Sequence, residues 1–98
     1  MPPDPTVEVP PVIRPNPYNL SASIQYELPS SARVTLEIFD VNGRRVRTLV
    51  DGEQQARGPH VIEWKADDDR GVRVSSGVYF CRLQAGSSMS TAKLVLVK

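Results

Sequence analysis

The sequence predicts an all-β fold, a small antiparallel β-sandwich of about seven strands, on three observations. Apolar residues alternate with polar ones at period two in successive short windows, clusters of turn-forming residues separate those windows, and no stretch carries a sustained helical stripe. With 98 residues, 40% of them hydrophobic, the chain is long enough for one core that buries roughly 60 to 70% of the unfolded surface.

The elements follow in order. Seven of the nine prolines fall within the first 17 residues, and each fixes φ and steers the residue before it toward extended geometry. Residues 1–10 therefore read as a proline-rich linker to something upstream, and residues 11–98 as the sandwich. A short strand near Pro11 to Arg14 opens the domain, and Pro15-Asn16-Pro17-Tyr18-Asn19 pins the chain beside the first full strand. Ile24, Tyr26 and Leu28 then alternate with Ser23, Gln25 and Glu27, and Val34, Leu36 and Ile38 alternate with Arg33, Thr35 and Glu37, around a Pro29-Ser30-Ser31 turn.

Asp40-Val41-Asn42-Gly43 is a hairpin signal with two registers. A two-residue Asn-Gly loop sets Ile38 opposite Arg47. A three-residue Val41-Asn42-Gly43 loop, with Gly43 left-handed at a bulge, sets Ile38 opposite Val46, Glu37 opposite Arg47 and Asp40 opposite Arg44. The second keeps apolar against apolar and acid against base, so it is the register expected. Further strands are expected at 60–65 (His60, Ile62 and Trp64 on one face), 77–85 (Tyr79, Cys81 and Leu83) and 90–97 (Ala92, Leu94 and Leu96), with Asp51–Pro59 and Ala66–Ser76 as the longest loops.

Composition narrows the function classes. Twelve basic against eleven acidic residues leave a net charge of +1, which gives no field to concentrate nucleic acid or an anionic membrane. No apolar run is long enough for a membrane-spanning helix, and the first residues lack the basic flank and apolar stretch of a signal peptide. The lone Cys81 excludes an internal disulfide and falls on the apolar phase of its strand, the place of a buried thiol.

Candidate chemistry is sparse. In the Asp67-Asp68-Asp69 cluster, Asp67 with Asp69 could offer carboxylates to Ca²⁺, but Gly71 and Val78 stand where an EF-hand loop needs ligands, so a solvated turn is expected. His60 is the only histidine and has no ligand at zinc spacing. Ser75, Ser76, Ser87 and Ser88 lie in no Gly-x-Ser-x-Gly elbow. Neither metal nor cofactor is expected, and no catalysis. Alternation sends Tyr26, Trp64 and Tyr79 inward as core aromatics and leaves Phe39, Phe80 and Tyr18 outward.

Four segments carry a resemblance in their order: RPNPYN at 14–19, LEIFDVNGRRVRTLVDG at 36–52, GPHVIEWKADDDRGVRVSSGVYFCRLQAG at 58–86 and AKLVLVK at 92–98. The set resembles the type A C-terminal sorting domain of type IX secretion, which overlaps with the immunoglobulin-like domain of the flagellar hook-capping (FlgD-like) family. The resemblance implies an immunoglobulin-like sandwich at the end of a larger secreted bacterial protein. Such a domain is recognised by the outer-membrane secretion machinery, is acted on by a surface-attachment protease, and reaches the medium or cell surface via the periplasm. Recognition would be protein–protein docking, carried by Gly77, Val78 and Tyr79 and by Lys93, Leu94, Val95, Leu96, Val97 and Lys98. Pro15, Asn16, Pro17, Asp40, Gly43 and Arg44 would be structural. Cys81 departs from the family, where an aromatic or aliphatic residue is usual. Two other roles suit the same fold: a carbohydrate-binding or adhesive module of a secreted multidomain hydrolase, and an assembly scaffold like the hook-capping proteins.

Overall fold

Period-two patterning commits each segment to a strand with one buried face, and the computed structural model, which describes residues 12–18 and 21–97, shows how those faces meet. Seven strands form: β1 (Val12–Tyr18), β2 (Ser21–Leu28), β3 (Ala32–Asp40), β4 (Arg45–Gln55), β5 (Gly58–Trp64), β6 (Gly77–Ala85) and β7 (Ser88–Leu96). They make two antiparallel sheets, β1-β2-β5 and β4-β3-β6-β7, packed as an immunoglobulin-like sandwich. The linker at 1–10, Asn19 and Lys98 lie outside the described residues, as do the side chains of Pro17 and Tyr18.

The core is what alternation dictates. Ile24, Leu28, Trp64, Leu36, Ile38 and Leu83 are fully buried, and Leu94 and Leu96 of β7 join them. Trp64 meets Tyr79 edge to face across the two sheets, with ring centroids 5.3 Å apart. Cys81 sits between Ile38 and Ala92, and burial pushes its thiol up to about 12.

β1 is longer than the sequence suggests. It continues from Arg14 through Pro15-Asn16-Pro17 to Tyr18, pairing Pro15 with Ile24 and Pro17 with Ala22. An edge strand accepts proline where the imide faces away from its only partner, and these two, two residues apart, share that phase. β1 also runs beside β7 of the other sheet.

Two further expectations are corrected. Most of the expected 51–59 loop is strand: β4 runs to Gln55, and only Ala56 and Arg57 separate it from β5. The hairpin has the three-residue loop, with the Asp40 amide on the Arg44 carbonyl at 3.0 Å and Gly43 at φ +80°. Its register then slips, so Phe39 faces Arg45 but Ile38 faces Arg47 rather than Val46, and Glu37 faces Thr48 rather than Arg47. The cause is a bulge at Val46, whose side chain still packs on the core while its carbonyl turns out to accept the Asp69 amide at 3.0 Å.

Candidate functional site

The segments 77–79 and 93–96 are the open ends of the β6–β7 hairpin, which lays them side by side: Gly77 pairs with Leu96, Val78 with Val95 and Tyr79 with Leu94. Because alternate residues point to opposite faces, the group divides. Tyr79, Leu94 and Leu96 face the core and are buried. Val78, Lys93 and Val95 face outward, and Val97 follows just beyond the strand, with Val95 45% and Val97 54% exposed. Gly77 opens β6 at φ +151°.

The outer face of the four-stranded sheet is ordered in rows. Val78 and Val95 form the first, Phe39, Phe80 and Lys93 the second, and Glu37, Arg82 and Thr91 the third. Phe39 and Phe80 are half-buried neighbours, and the Arg82 guanidinium lies over the Phe39 ring at 4.4 Å. That cover removes the open aromatic platform which a sugar-binding reading would use.

Below the phenylalanines the face is charged and internally neutralised. Arg82 donates to Glu37 at 2.9 Å, Arg45 lies 3.6 Å from the same carboxylate, and Arg45 and Arg47 reach Asp69 at 3.8 and 3.9 Å. Arg47 also pairs with Asp67 at 3.0 Å. The ladder straps the β5–β6 loop over the free edge of β4, where Asp69 also accepts from the Thr48 amide at 2.9 Å. Asp67 and Asp69, the two acids weighed as calcium ligands, are thus spent on arginines.

Asp68 does something else that the sequence reading missed. Its Oδ1 accepts the Arg70 and Val72 amides, both at 2.9 Å, while the Gly71 amide donates to its carbonyl and its own amide donates to the Val72 carbonyl. Asp40 makes the same pattern with the amides of Asn42, Arg44 and Gly43 and the Arg44 carbonyl, and both glycines have φ +80°. The signal was present as Asp-x-x-Gly at 40–43 and again at 68–71. The Val72 amide above all holds the Asp68 carboxyl below the usual carboxylate range against the opposing effect of desolvation, and the Arg70 amide and guanidinium add to the lowering.

His60 stacks on Tyr26 at 5.3 Å, and its Nε2 lies 2.7 Å from the Ala56 carbonyl. The Tyr26 hydroxyl donates to Gln55, joining the ends of β2 and β4. On the outer face of the other sheet a shallow groove of about 230 Å³ runs between Val12 and Arg14 on one side and Pro59 and Val61 on the other. No group of His, Cys, Asp and Glu side chains among the described residues is arranged to hold a metal.

With this geometry in view, the comparisons with known proteins bear on the module as a whole. A family model described as the FlgD Ig-like domain matches residues 19–88. Among solved structures, the chain is similar to dimeric latent PorU from Porphyromonas gingivalis, with a TM-score of 0.64 and 24% identity over 93% of this chain and 10% of that one. It is also similar to FlgD from P. aeruginosa, with a TM-score of 0.63 and 23% identity over 87% of this chain and 70% of that one. At such identities the likeness is one of fold. The chain spans a tenth of the PorU chain. No curated protein matches it.

Proposed function

Because the chain belongs to the FlgD Ig-like domain family, we propose that it is a non-catalytic docking module, a C-terminal sorting and surface-attachment domain that directs a larger secreted bacterial protein through type IX secretion. Its partners in this reading are the outer-membrane secretion machinery, a surface-attachment protease and the upstream cargo, and it acts at the cell surface or in the medium. The observation that carries the proposal is the β6–β7 pairing: the outward members of two segments singled out by the sorting resemblance, Val78 with Lys93 and Val95, lie side by side on one sheet face. The PorU likeness supports a module that occupies a small part of a much longer chain.

A second reading, an assembly scaffold, is favoured by the likeness to FlgD, of which the matched region is 70%. It predicts self-association or binding to axial flagellar proteins.

The test is a reporter fused to the N-terminus of the 98-residue chain and expressed in a bacterium with type IX secretion. The reporter is expected at the surface or in the medium. Retention of a folded fusion inside the cell overturns the sorting reading, and binding of that fusion to axial flagellar proteins selects the scaffold.

A further inference from the structure

Resting on the sorting reading, we propose that the docking surface is the outer strip Val78, Phe80, Lys93, Val95 and Val97, and that its occupant is a separate protein presenting an apolar ridge beside a carboxylate. Three observations on one sheet face lead there. The first is segregation. Apart from the exposed Met89, the half of the face toward Thr35 and Gln84 carries charged and polar side chains, while Val78, Phe39, Phe80 and Val95 gather at the other end. Val95 and Val97 are about half exposed there, and their β-branched side chains have little rotamer freedom to lose on docking.

The second is position. β1 begins at Val12 opposite Glu27, at the end of the sandwich where β2 turns into β3 and where Ala85 faces both Val34 and Ser88. Val78 and Val95 sit at the other end of the nine-residue β6, about 25 Å away at roughly 3.3 Å per residue. Val12, the first described residue, therefore lies at the opposite pole, and the strip stands clear of the end at which β1 begins.

The third is charge. On this face Arg82, Arg45 and Arg47 are already matched to Glu37, Asp69 and Asp67. Lys93 is exposed, stands beside Phe80 and engages no carboxylate among the described residues. Covering an unmatched ammonium is costly unless the partner supplies an anion. A second copy of the chain does not: strip against strip brings two lysines and no acid. The occupant is therefore acidic beside its apolar ridge.

The reporter fusion tests this with four exposed substitutions. Val95→Asp and Lys93→Glu are expected to lower export by about tenfold or more, the effect of spoiling a central contact. Lys93→Arg, and Met89→Asp at the opposite end of the same face, are expected to export as the parent does. Melting temperatures of the purified variants, unchanged within a few degrees, separate docking from folding. Normal export of Val95→Asp and Lys93→Glu overturns the strip. Loss with Val95→Asp alone overturns the acidic partner, and loss of the parent's export overturns the sorting reading instead. A dimer in sedimentation that Val95→Asp dissociates assigns the strip to a second copy and overturns the separate acidic partner.

Discussion

Trp64 and Tyr79 touch edge to face, and each sends its polar tip into the same loop. The indole Nε1 donates to the Asp67 carbonyl at 2.8 Å and the phenol to the Ser75 carbonyl at 2.6 Å. One belongs to β5 and the other to β6, so a contact between the sheets also clamps both ends of the β5–β6 connection. The loop that covers the β4 edge is held from beneath by the core and from above by arginines.

Tyr79→Phe leaves the ring contact and removes the grip on Ser75. A loss of about 0.5–1.5 kcal/mol is expected in urea unfolding, with faster hydrogen exchange confined to residues 66–76. Trp64→Ala removes the largest buried side chain and should cost about 3–5 kcal/mol. Equal exchange throughout the protein in Tyr79→Phe would show that the clamp is not local.

The Asp40 turn can be dissected in two steps. Gly43 has open space where a Cβ would stand, so Gly43→Ala meets no clash, and its expected cost of about 1–2 kcal/mol comes from the left-handed backbone alone. Asp40→Ala frees the Asn42 and Arg44 amides and should cost about 1–2 kcal/mol. Asp40→Asn retains an acceptor and should lose less. Chemical denaturation of the three variants ranks them.

Acid should loosen the other turn. The Asp68 carboxyl titrates below its value in the unfolded chain, so the unfolded state takes up the proton first. Its stabilising contribution is full above about pH 4, the ordinary aspartate range, and is lost as pH falls through the folded value. Asp68→Asn, which keeps the acceptor without the charge, should be less stable than the parent at pH 7 and approach it at low pH. A gap between the two that ignores pH would mean that the charge contributes nothing.

Cys81 should be silent in the native state. A buried thiol pushed up to about 12 is almost wholly protonated at pH 8, so a thiol reagent should label it only after denaturant is added. Cys81→Ser sets a hydroxyl among Ile38, Leu83 and Ala92 and should cost about 1–3 kcal/mol if it finds no partner, whereas Cys81→Ala should cost less. Rapid labelling of the folded protein would contradict this burial.

The inward faces were legible because a strand with one buried side can satisfy its neighbours in only one phase, and Ile24, Leu36, Leu83 and Leu94 each declare it. The β3–β4 register was not legible, because it is settled by something distant. The Asp69 amide takes the Val46 carbonyl, and the strand bulges to offer it. Gly52 misled for a related reason. Asp51-Gly52 looks like a turn, but Gly52 sits inside β4 at φ +64°, its amide on the Thr35 hydroxyl and its carbonyl accepting from Arg33. In the candidate strip, the order of segments named the residues. Their separation into core and surface members needed the pairing of Gly77 with Leu96.

The burial of Leu94 and Leu96 on the edge strand β7 bears on when the domain can form. Its last-made strand supplies two of its best-buried side chains, and the first-made strand lies against that strand. A ribosome-bound chain that stops short of residue 94 has an open hydrophobic seam and cannot close it by local pairing. The complete core therefore cannot assemble until β7 has been made.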